Sequence, residues 1–167
     1  MSTTASEPTS RSRFRYMDTG AAIYGTITAT AVIGAGAGHA PLTTVLALTI
    51  ATLVILWLAH VYTEALGHHL KGGTQLRWTT VREAMGEESP MLFAPALSVV
   101  VLLLGIFGVL DEHTATRLAI WIGVAQLFAW GVVYARRQGW GWRTSGLAGI
   151  VNGAFGLVIV FLEVLLH

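Results

Sequence analysis

His60, Glu64 and His68 stand four residues apart, which puts an imidazole, a carboxylate and a second imidazole on one face of a helix. Groups of these types in a row suit two kinds of chemistry. They can ligate a divalent cation, or they can pass protons, because imidazole titrates near neutral pH. A plain structural alternative stands beside both. Helices often place polar groups at i and i+4, so Glu64 pairing with a loop arginine and His60 donating to a neighbouring carbonyl gives the same pattern. HxxxExxxH constrains a metal less than HExxH does, and no second ligand set accompanies it. No metal site and no cofactor is therefore expected.

Further polar residues lie inside apolar stretches. Gln126 is near the middle of one, and Asn152 and Glu163 belong to another. Gly149, Asn152, Gly153, Gly156, Val160, Glu163 and His167 fall on one helical face that contains a GxxxG spacing at Gly149–Gly153. Small residues let two helix backbones approach closely, and an amide can bond across such a contact. A packing face is the first reading and a pore-lining face the second. Gly25 with Ala29, and Gly34 with Gly38, repeat the small-residue spacing earlier in the chain. The ion-pathway candidates are thus His60, Glu64, His68, Gln126, Asn152 and Glu163, and the helix-packing candidates are Gly25, Gly149, Gly153 and Gly156. A third set, His39, Asp111, Glu112 and His113 with Glu163 and His167, could draw cations to one end. A solvated acidic turn is the plainer reading of Asp111 and Glu112.

The elements that must carry these residues follow from composition. The chain has 167 residues, 54% hydrophobic and only 11% charged, with a mean hydropathy of +0.65. A soluble domain carries about 25% charged residues. The apolar residues also come in long blocks, as a bilayer requires. The expected fold is all-α, a polytopic membrane helical bundle with about five transmembrane helices, since helices close their backbone hydrogen bonds within the segment. The spans are about 21–37, 42–66, 90–110, 116–135 and 144–166. The third, at 1.5 Å per residue, reaches about 31 Å, close to the hydrocarbon thickness. The first, built from Ala, Gly and Thr, is poor in bulky side chains and suits the inside of a bundle. Residues 1–19, rich in Ser and Thr with Arg11, Arg13 and Arg15, read as a disordered basic cytoplasmic tail.

Orientation follows from lysine and arginine. With the N-terminus inside, Arg11, Arg13, Arg15, Lys71, Arg77, Arg82, Arg136, Arg137 and Arg143 are cytoplasmic, and only Arg117 is outside. That bias needs all five spans and gives an N-in, C-out topology. A rival reading takes the first span as a signal peptide cleaved after Gly38-His39-Ala40, so whether that span is retained stays open. In the loop of residues 67–89, Thr80-Val81-Arg82-Glu83 fits a capping box for a short interfacial helix. Trp140 and Trp142 beside Arg136, Arg137 and Arg143 read as an aromatic and basic anchoring belt.

A net charge of +1 gives no global attraction to nucleic acid, and the absence of cysteine excludes disulfides and thiolate sites. There is no GxxxxGKS/T, GxSxG, HExxH or TVGYG motif, and no carboxylate pair is set for hydrolysis, so no enzyme is suggested.

At Trp57-Leu-Ala-His60-Val-Tyr62 and Asn152-Gly-Ala-Phe-Gly-Leu-Val-Ile-Val160 the chain resembles a family of small uncharacterised bacterial multi-span integral membrane proteins. The resemblance runs from the first span to the end. It implies a bacterial inner-membrane location and draws attention to His60, Tyr62 and Asn152, but it brings no activity. The family tends to have a basic residue where this chain has Glu163, so the resemblance implies no fixed role for Glu163.

Two functions fit these observations. One is an oligomeric ion or proton channel or transporter with a His/Glu relay. The other is a non-transporting accessory subunit or scaffold that packs through glycine-rich helix faces. The expected partners are the lipid bilayer and a homo-oligomer or membrane partner subunit, with an ion or proton possible and no nucleic acid. Convergence of His60, Glu64, Gln126 and Asn152 on one cavity favours conduction, and separate pairing favours the scaffold.

Overall fold

A computed structural model describes residues 10–72 and 78–166. The described residues form helices joined by short turns: α1 (Ser10–Gly36), α2 (Leu42–Gly72), α3 (Trp78–Glu87), α4 (Pro90–Phe93), α5 (Ala96–Ile106), α6 (Glu112–Arg137) and α7 (Trp142–Leu166). Three helical stretches are long and apolar enough to cross a membrane: Leu42–Gly67, Glu112–Arg137 and Trp142–Leu162. A fourth is reached if the bent pair Val81–Phe93 and Ala96–Ile106 counts as one span.

α1 is not among them. Its alanines, glycines and threonines instead make it the staff around which the others pack, in contact with α2, α4, α6 and α7. Thr19, Thr26 and Thr30 are buried on it along with Ala22, Ala29 and Ile33. Burial of these hydroxyls is tolerated because Thr26 donates to the Ala22 carbonyl at 2.8 Å and Thr30 to that of Thr26 at 2.7 Å. α1 also begins at Ser10, well before residue 21, so helix extends into the stretch expected to be a tail. Residues 11–19 hold neither Pro nor Gly, and a helix already nucleated gains one hydrogen bond per added residue.

Helix direction alternates along the chain. A Cβ at Gly123 of α6 would run into Thr30 of α1, and Arg137 of α6 reaches Thr19, so α1 and α6 are antiparallel. Gly131, Gly149 and Gly156 set α6 antiparallel to α7 in the same way. The core lies at the end where α1 meets α2 and α5 meets α6, built from Ile33, Ala37, Leu42, Val45, Val101, Leu102, Ala115, Ala119 and Ile120.

Three local features refine the expected elements. The third apolar run is not one straight helix over 90–110 but is bent by 51° between Phe93 and Ala96. Pro95 has no amide to give the Met91 carbonyl, and its ring crowds that turn. Thr80 does not open a helix, since α3 is already helical at Trp78. α6, which contains the span expected over about 116–135, starts at Glu112, because Asp111 is extended (φ −68°, ψ 150°) and caps it by accepting from the Thr114 amide at 2.8 Å. That hydrogen bond holds the exposed Asp111 carboxyl below the usual carboxylate range.

Candidate functional site

His60 is half-buried on α2. Its Nδ1 lies 2.9 Å from the Leu56 carbonyl one turn back. A carbonyl only accepts, so Nδ1 is the donor of this bond. The imidazole packs against Tyr24 of α1, with ring centroids 5.1 Å apart and planes tilted by 51°. Tyr24 adjoins Gly25, where a Cβ would strike the Met91 carbonyl. The carbonyl that Pro95 leaves without its helical donor is therefore pressed onto the Gly25 backbone, a contact only glycine permits. The sequence marked Gly25 for packing, and its partner proves to be the turn broken by the proline.

Glu64 is half-buried one turn beyond His60, Tyr62 is exposed, and the side chains of His68, Glu163 and His167 lie outside the described ones. Three residues before His60, the Trp57 indole nitrogen is buried with no hydrogen-bond partner among the described residues. Nothing in the sequence pointed to this, because an indole N–H is normally satisfied when buried. Among the described residues, no three His, Asp or Glu side chains are grouped so as to hold a metal ion.

Gln126 serves the other side of the proline break. Its Nε2 donates to the Ala94 carbonyl at 2.6 Å, while its Oε1 accepts from the Ser98 hydroxyl at 3.2 Å. Ser98, fully buried, also lies 3.0 Å from the Ala119 carbonyl. This polar knot joins α5 to α6 across the bend. Ser98 was not singled out in the sequence, where it is one small residue in an apolar run.

Asn152, Gly149, Gly153 and Gly156 of α7 face α6, the most extensive helix pair among the described residues. A Cβ at Gly131 would come within 2.6 Å of both the Asn152 side-chain nitrogen and the Ala148 carbonyl. At Gly149 it would meet Val132 at 2.7 Å, and at Gly156 it would meet Val124 at 2.9 Å. Gly153 differs, since its nearest neighbour would be Phe128 at 3.6 Å, an ordinary contact. The close approach thus uses Gly131, Gly149 and Gly156 more than the GxxxG pair itself.

The candidates occupy three seams. His60 is on the α1–α2 seam, Gln126 on α5–α6 and Asn152 on α6–α7. Gln126 and Gly131 are five residues apart on α6, about 140° around its axis, so they face different neighbours. At the α6–α7 turn, Arg136 lies over the Trp142 ring at 4.4 Å and donates to the Trp140 carbonyl at 3.1 Å. Arg137 donates to the buried Thr19 hydroxyl at 2.9 Å. No family model, curated protein or solved structure matches the chain.

Proposed function

We propose that this chain is a multi-pass protein of the cell membrane that acts as a non-transporting scaffold or accessory subunit, without enzymatic chemistry of its own. The observation that carries the reading is the separation of three polar side chains: His60 packs on Tyr24 of α1, Gln126 bonds Ala94 and Ser98, and Asn152 lies against Gly131 of α6. A conducting path needs such groups along one shared route, and His60, Gln126 and Asn152 lie on three. Gly149 and Gly156 are taken up by α6, so a partner subunit or second copy meets the bundle through another face. Five crossings with the N-terminus inside are favoured by the alternating helix directions, which make α1 a full stave. The exposed Arg82, Arg136, Arg137 and Arg143 belong to one end and Arg117 to the other.

Flux in proteoliposomes tests the reading. Pure protein, assayed for protons and monovalent cations from about pH 5 to 8 across the histidine range, should give no flux above protein-free vesicles. A flux whose pH profile shifts in both His60→Ala and Glu64→Gln would establish the His/Glu relay and displace the scaffold.

A further inference from the structure

We infer that the α6–α7 turn is a binding site for the phosphate headgroup of an anionic phospholipid. The inference rests on the membrane reading above and adds a ligand class to it. A generic interfacial belt needs only basic and aromatic residues near the boundary, each free to move. This turn is more ordered than that. Arg136 is held twice, by its cation–π contact with Trp142 and by its bond to the Trp140 carbonyl. Arg137 is tied to Thr19, which brings the entrance of α1, with Arg11, Arg13 and Arg15 in its sequence, to the same end. Gly139, at φ +80°, turns the chain sharply enough to set Trp140 and Trp142 beside the end of α6.

Charge is unbalanced here. Arg136 and Arg137 suit the negative end of α6. Arg143, exposed in the first turn of α7, sits at the positive end of its helix, and that turn holds no acid. Its position is unfavourable unless an anion lies nearby. A lipid phosphate satisfies it: a guanidinium matches phosphate geometry in two-point contact, and the exposed indoles of Trp140 and Trp142 suit the depth just below a headgroup. Arg117, the lone arginine of the other end, has no such company, since Asp111, Glu112 and His113 precede it.

The test is native mass spectrometry of the full chain in detergent, titrated with phosphatidylglycerol or phosphatidylcholine of equal chain length. Wild type should bind the anionic lipid about tenfold tighter or more, as two or more arginines at a surface provide. The double variant Arg136→Gln, Arg143→Gln should lose most of that preference, while Arg117→Gln keeps it. Circular dichroism checks that each variant is folded, and the single variant Arg143→Gln, which touches no described packing contact, serves if the double one is not. Inorganic phosphate is the second arm; full displacement of lipid at millimolar phosphate would make this a site for the free ion and overturn the lipid assignment. Equal affinity for the two lipids in wild type, or an undiminished preference in the arginine variants, would also overturn it. Resistance to alkaline extraction from membranes tests the membrane reading separately.

Discussion

At the scale of single residues, the chemistry is mostly that of groups finding local partners. His60 gives its Nδ1 proton to its own helix and its ring face to Tyr24, which is what an isolated imidazole in an apolar seam needs. Asp111 is the group with a clear thermodynamic signature. Its folded pKa is lowered by the Thr114 amide, so its stabilisation is complete above the unfolded carboxyl value of about 3.9 and is lost as pH falls through the lower folded value. Asp111→Ala should lower the melting temperature at pH 7, and the gap to wild type should close under acid. Asp111→Asn, which keeps a capping oxygen, should melt near wild type at neutral pH and lack that pH-dependent component. Thermal melts from about pH 2 to 7 decide it, and a gap that stays constant with pH would show that the carboxylate is not the capping species.

At the scale of helices, the proline break and the two glycine seams organise the bundle. Gly25→Ala drives a methyl into the Met91 carbonyl, a backbone atom that has no rotamer to move away. The expected loss is about 1–3 kcal/mol, the usual range for overpacking. Gly153→Ala meets only ordinary contact with Phe128 and should be neutral or stabilising by up to about 1 kcal/mol, the gain of alanine over glycine in a helix. Reversible denaturation in detergent measures both; equal losses would remove the distinction between the two seams. The contrast also marks what was legible in the sequence. Long apolar runs announced α2, α6 and α7, and the Ala/Gly/Thr composition announced a buried α1. A bilateral bond such as Gln126 to Ala94 was foreseeable only in kind, since Gln126 needs a partner but its spacing does not name one. The bend went unseen because a proline in an apolar run either kinks or ends a helix, and the outcome depends on distant groups. Here those are the Gly25 backbone, which receives one freed carbonyl, and Gln126, which bonds another. Thr80 does not begin α3 for the converse reason: helix already runs through it.

At the scale of the whole chain, alternating direction predicts which turns share a side. The α6–α7 turn and the α5–α6 turn should lie on opposite faces of the membrane. The chain has no cysteine, so single cysteines at the exposed Gln138 and Thr114 report without background. On intact cells an impermeant thiol reagent should label Thr114→Cys alone, with Gln138→Cys labelled only after permeabilisation. Labelling of Gln138→Cys from outside would invert the arrangement, and labelling of both would end the alternation.

The burial of α1 has a consequence for biogenesis. α1 leaves the ribosome before every helix that covers it, and it is less apolar than α2, α6 or α7. Thr19, Thr26, Thr30 and the Gly25 backbone are shielded by segments made later, from α2 through α7. Until those arrive, the hydroxyl-bearing face of α1 has no protein to cover it. The packing of α1 is complete only once α6 and α7 have been made, so the chain closes around its own beginning.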